Sequence, residues 1–116
     1  MSGRLTTHVL DTAQGRPAVG VAIDLRRTGE HGPIRSVRTN ADGRTDEPLL
    51  EGPDLVPGSY ELRFAVGAYF AGQPVQVEDP PFLDVVPVRI TIADAGAHVH
   101  VPLLVSPWAY STYRGS

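Results

Sequence analysis

The stretch AHVHVPLLVSPWAYSTYRGS, residues 97–116, decides how the rest of the chain reads. Between 97 and 105 apolar side chains recur at every second position, so Val99, Val101, Leu103 and Val105 share one face and His98, His100, Pro102 and Leu104 the other. Period two is a strand. Its first face is core, and its second sets two imidazoles side by side. Ser106-Pro107 interrupts the run, and a further short extended segment leads to Tyr113-Arg114-Gly115-Ser116, an aromatic, a guanidinium, a glycine and a hydroxyl. An ordinary fraying tail does not have that chemistry, and these residues are read as part of a site.

The upstream segments repeat the pattern. In 5–10, Leu5, Thr7 and Val9 share one face and Thr6, His8 and Leu10 the other, so His8 projects away from the core side. Further strands are expected over 19–27, 34–39, 59–66 and 85–93, with Pro87 marking the last as a bulged or edge strand. Gln14-Gly15-Arg16-Pro17, Asn40-Ala41-Asp42-Gly43 and Asp94-Ala95-Gly96 are turns, and Arg44 follows the second at the rim of a sheet. Only 67–72 has the makings of a helical turn. Seven or eight short strands, with 12 Gly and 11 Pro for their connections, indicate an all-β sandwich of Greek-key type. Its open edges favour self-association.

Bulk properties narrow the function. The 116 residues suffice for one domain, spanning 1–116. With 41% hydrophobic and 20% charged residues the chain has the composition of a globular protein, and a net charge of -3 gives no general affinity for nucleic acid. Zero cysteines exclude disulfides, thiolate metal ligands and a cysteine nucleophile. MSGRLTTHVLDT lacks the apolar segment of a signal peptide, and no run approaches the ~18 apolar residues of a membrane span. A cytoplasmic protein with no membrane partner is expected.

Three readings compete for His98-X-His100: two solvated histidines on an outer sheet face, a Zn²⁺ site completed by His8, or metal-free acid–base chemistry by imidazoles that titrate near ~6.5. Arg44 is either a surface charge paired with Asp42, Asp46 or Glu47, or a planar donor fork for a ligand's carbonyl or anionic oxygens. A Ser/His/Asp hydrolase with Ser111 or Ser116 as nucleophile is disfavoured, because no Gly-X-Ser-X-Gly elbow exists. No phosphate loop or dinucleotide fingerprint is present, and the aromatics lack the basic interleaving of single-strand binders. Trp108 and Tyr110 fit packing or a subunit interface.

Taken together, Leu5-Thr6-Thr7-His8-Val9-Leu10-Asp11-Thr12, Thr39-Asn40-Ala41-Asp42-Gly43-Arg44-Thr45-Asp46, His98-Val99-His100-Val101-Pro102-Leu103-Leu104-Val105-Ser106-Pro107 and the closing Tyr113-Arg114-Gly115-Ser116 resemble the transthyretin-related 5-hydroxyisourate hydrolases over essentially the whole chain. The resemblance implies a transthyretin-like sandwich of eight strands with one short helix. It also implies a homotetramer, a dimer of dimers whose channel holds the sites. The implied activity is cofactor-free, metal-free hydrolysis of 5-hydroxyisourate to 2-oxo-4-hydroxy-4-carboxy-5-ureidoimidazoline in urate degradation. His8, Arg44, His100 and Ser116 would be catalytic, His8, Arg44 and Tyr113 would bind substrate, and His98, Arg114 and Gly115 would support them. The competing class is a transthyretin-like carrier of a small ligand. Transthyretin itself shares the Leu-Ser-Pro and Tyr-Ser-Thr pattern, whereas the histidines and the Tyr-Arg-Gly-Ser ending favour the enzyme. Val105 and Trp108 stand where other apolar or aromatic residues are usual, and 78–83 follows the family pattern loosely.

Overall fold

The computed structural model describes residues 3–115. Nine strands appear among them: β1 (Arg4–Asp11), β2 (Arg16–Pro17), β3 (Ala22–Arg27), β4 (Arg35–Arg38), β5 (Leu50–Glu51), β6 (Gly58–Ala65), β7 (Val85–Ile92), β8 (His98–Val105) and β9 (Tyr110–Thr112). One short α-helix, α1 (Val66–Ala71), lies between β6 and β7, and a 3-10 turn spans Gly52–Asp54. The count exceeds the expected eight by one, and β2 and β5 are two-residue pairings against the edge of β1. The chain is an all-β, transthyretin-like sandwich of two sheets, ordered β2-β1-β8-β9 (with β5 also on β1) and β4-β3-β6-β7.

Alternation determines what fills the sandwich. Leu5, Val9, Val99, Val101, Leu103 and Val105 from one sheet meet Ile23, Leu25, Tyr60, Leu62, Phe64 and Val88 from the other, all buried. Fully burying each Val, Leu, Ile or Phe side chain contributes about 1.5–3 kcal/mol, which is why the period-two positions choose the face. Asp11 ends β1 pointing inward, where its carboxylate accepts from Ala13 N and Gln14 N at 2.9 Å and from Gln14 Nε2 and Tyr69 Oη at 2.7 Å. This ties α1 to the first turn.

One boundary departs clearly from the sequence reading. The strand expected over 19–27 begins at Ala22, because Gly20 takes a φ of 81° and Val21 N bonds to the Thr39 hydroxyl instead of joining the ladder. Val19 is consequently half-exposed, not part of the core face. Pro87 lies in β7, the edge strand of its sheet as expected, where alternate N–H groups face away from the ladder and a proline is tolerated.

Candidate active site

β1 and β8 pair in parallel with Arg4 opposite His98, Thr6 opposite His100, His8 opposite Pro102 and Leu10 opposite Leu104. Since Leu5, Thr7 and Val9 point into the core, these eight residues form two adjacent columns on the outer face. Thr6 stands at the centre of the histidines. Its Oγ1 lies 2.8 Å from His98 Nε2 and 2.8 Å from His100 Nδ1.

The loop carrying Arg44 is docked on the other edge of β1. Asn40 organises it, its Oδ1 accepting from Asp42 N at 2.9 Å and Arg44 N at 3.2 Å while its backbone N–H donates to Arg44 O at 2.7 Å. Val9 N donates to Gly43 O at 2.8 Å, stitching the turn to the strand. Gly43 has a φ of 74°, and a Cβ there would stand 2.4 Å from Val9 O, so only glycine fits. The Asp42 carbonyl, which can only accept, lies 2.8 Å from His8 Nε2. His8 Nε2 therefore donates, and neutral His8 carries its lone pair on Nδ1.

The acidic neighbours of Arg44 are engaged elsewhere. Asp46 accepts from Asn40 Nδ2 at 3.0 Å, and Glu47 pairs with Arg35 at 3.2 Å. Among the described residues no carboxylate forms an ion pair with Arg44, which removes the reading of a charge merely neutralised in its own loop. A recess of about 310 Å³ opens between Arg44, the 45–48 segment, Thr6, His98 and His100. Two larger hollows, about 520 and 610 Å³, contain no histidine. Chemistry, not volume, distinguishes the site.

Burial, then the Arg44 charge, holds the His8 imidazole below its usual pKa. His100 is lowered the same way, by burial first, then Arg44, then His98 and His8. Both are thus kept as neutral bases.

The terminal segment approaches His100 from the far side of β8. Gly115 N donates to His100 O at 2.9 Å, and a Cβ on Gly115 would lie 2.6 Å from His100 Cδ2, so this glycine is needed for closeness to the ring. Tyr113 and Arg114 line a separate hollow of about 270 Å³ between β7 and β8 that reaches His100 but not Arg44. Ser116, assigned a catalytic part above, lies outside the described residues. His8, His98 and His100 do not form a three-nitrogen set: among the described residues no group of three or more His, Asp or Glu is arranged to hold a metal ion. Thr6 and Asn40 were missed as site residues. Period two put Thr6 on the histidine face, and Asn40 read as an ordinary turn residue.

A two-sheet sandwich that sets a guanidinium and two hydroxyl-linked imidazoles around one outer-face recess defines a class of small β-sandwich proteins with a polar reactive face. The model of the HIUase/Transthyretin family matches residues 5–115, and the chain belongs to that family. It is 61% identical over 116 residues to the 5-hydroxyisourate hydrolase of Ralstonia nicotianae, covering 98% of this chain and 99% of that one. Among solved structures, (S)-allantoin synthase superposes with a TM-score of 0.94 at 45% identity, over 99% of this chain but only 44% of that longer one. The 5-hydroxyisourate hydrolase of Klebsiella pneumoniae superposes with a TM-score of 0.82 at 34% identity, over 98% and 99% of the two chains.

Proposed function

We propose that the protein hydrolyses 5-hydroxyisourate: water attacks the carbonyl of the six-membered ring, the ring C–N bond breaks, and 2-oxo-4-hydroxy-4-carboxy-5-ureidoimidazoline is released. The observation that carries this reading is the meeting of Arg44, free of any carboxylate among the described residues, with Thr6-bound His100 around one recess. The near-full-length likeness to 5-hydroxyisourate hydrolases supports the choice of substrate.

Amide hydrolysis needs a base for water and an acid for the leaving nitrogen. His8 and His100, held neutral, take the water proton and return it to that nitrogen. Arg44 holds substrate oxygens and offsets charge growing on the carbonyl, a contribution of about 3 kcal/mol for one oxyanion donor. Tyr113 is assigned to substrate binding from the hollow that shares His100 with the recess, and Ser116 to catalysis, with Arg114, Gly115 and His98 in support. A cyclic, imide-like carbonyl is electrophilic enough to react without a cofactor. The working unit is a homotetramer in the cytoplasm. In support of assembly, β7 and β9 are both free sheet edges bordering one hollow, and Val85, Tyr110 and Tyr113 are exposed beside them.

The test is the ultraviolet decay of freshly generated 5-hydroxyisourate with and without protein. Acceleration is expected, with His100→Ala and Arg44→Ala each losing about a hundredfold or more in turnover. Binding without acceleration would make the protein a carrier instead. Chelator treatment is expected to leave activity intact, and loss restored by Zn²⁺ alone would assign a metal.

A further inference from the structure

The geometry points to Thr6 and His98 as a proton relay behind His100: a hydroxyl carrying one proton between two imidazoles, forcing them to share one tautomer and giving the proton held at His100 a route to the exposed side of the sheet. This rests on the hydrolase reading for its catalytic consequence, but the tautomer coupling follows from the geometry alone.

A threonine hydroxyl donates one hydrogen bond and accepts others. Thr6 Oγ1 is 2.8 Å from His98 Nε2 and 2.8 Å from His100 Nδ1, so it donates to one ring and accepts from the other. If Thr6 donates to His98 Nε2, neutral His98 is protonated on Nδ1, and His100 donates from Nδ1, leaving its Nε2 lone pair as a base. If Thr6 donates to His100 Nδ1, both rings are protonated on Nε2, and His100 presents an acid. Because Thr6 touches unlike nitrogens of the two rings, both arrangements give both rings the same tautomer. Among the described residues no hydrogen bond engages His100 Nε2.

The relay balances. His100 Nε2 takes a proton from water; the Nδ1 proton passes to Thr6 Oγ1 as the Thr6 proton passes to His98 Nε2. His100 and Thr6 end neutral, with His100 now protonated on Nε2, and His98 is an imidazolium. Reversal returns the proton to Nδ1 as Nε2 gives up its own to the leaving nitrogen.

Exposure sets the direction. His98 is exposed and His100 half-buried, so a positive charge is better hydrated at the outer ring. The charged groups facing the pair act on the same balance. Arg44 and His8 oppose a cation at His100, while Arg4 flanks His98 in the ladder and Asp46 and Glu47 border the recess. Arg114 lines the hollow that His100 borders on the far side. The parallel register is what puts the hydroxyl there, setting Thr6 directly across from His100 and diagonal to His98.

Two measurements on the full chain decide the proposal. Long-range ¹H–¹⁵N spectra at neutral pH are expected to show His98 and His100 in one shared tautomer, and opposite tautomers would overturn the coupling. In the decay assay, Thr6→Val is expected to lower kcat about tenfold or more with little change in KM and to displace the acid limb of the pH profile, while Thr6→Ser stays within about threefold of the parent. His98→Gln, which keeps a hydrogen-bonding group but cannot carry the proton, is expected to follow Thr6→Val. Parental kcat and pH profile in both Thr6→Val and His98→Gln would overturn the relay. A parent protein inactive toward 5-hydroxyisourate would remove the hydrolase reading and leave the coupling to the spectra. If Thr6→Val does not fold, His98→Gln and the parent spectra decide.

Discussion

An imidazole that serves as a base near neutrality must stay unprotonated there, and at residue scale this chain achieves it by partial burial beside a cation. For His8 and His100 the lowered folded-state pKa means that the neutral form persists below the usual 6.5. The acid limb of kcat/KM is therefore expected below 6.5, and Arg44→Gln should move both imidazole titrations upward as followed by NMR. Unmoved titrations would show that Arg44 does not act on them. The stability consequence has a definite sign. Below about 6.5 the unfolded chain binds these protons more readily than the folded one, so both residues lower stability as pH falls from 6.5 through their depressed values. Gly115 carries a second prediction at this scale. Gly115→Ala places a methyl 2.6 Å from His100 Cδ2, so the ring must turn, and a fall in kcat of about tenfold or more is expected with the fold retained by circular dichroism. His98, His100 and His8 were legible as site candidates from period and chemistry alone. Thr6 was not, since a threonine on the outer face of a strand is unremarkable until its neighbours across the sheet are known.

At the scale of elements, the Arg44 loop depends on one glycine and one carboxamide. Gly43→Ala must relieve both a left-handed φ of 74° and a 2.4 Å approach to Val9 O, which is expected to cost about 1–3 kcal/mol in denaturant unfolding and to raise KM as Arg44 shifts. An unchanged KM would show that the loop position does not matter to binding. Asp11 is the corresponding anchor for α1. Burial alone would raise its pKa, but hydrogen bonds from Tyr69, Gln14 and Ala13 hold it below its usual value. Its contribution is present above the ordinary carboxylate pKa of 3.8 and is lost as pH falls through the depressed value. Asp11→Asn is expected to cost about 1–3 kcal/mol at neutral pH and to flatten the acid limb of the stability curve. The late start of β3 belongs here too. Alternation continued through Val19, but the Thr39 hydroxyl claims Val21 N, a bond that no local pattern announces.

For the whole molecule, both sheets end in free edges on the same side, β7 and β9, with exposed Val85, Tyr110 and Tyr113 nearby. Edge strands and apolar side chains so placed favour pairing with further copies. Light scattering is expected to return four chain masses, with Val85→Asp or Tyr110→Asp dissociating the assembly, and a monomeric parent would remove the tetramer from the proposal. The recess holding Arg44 and the hollow holding Tyr113 touch the same histidine from two sides, so loss of assembly is expected to lower activity as well.

Local periodicity was enough to determine the long strands, their inward and outward faces and the candidacy of His8 and His100, because alternation of side chains is a property of the extended backbone itself. It missed the late start of β3 and the two-residue β2 and β5, and Arg44 became a candidate from its place after a turn. Partnership was decided only by the tertiary structure. Thr6 and His100, 94 residues apart, meet because β1 and β8 lie parallel in one particular register, and a period of two is equally compatible with many registers and many partners. Burial of both inner faces selects the one that places a hydroxyl between two imidazoles.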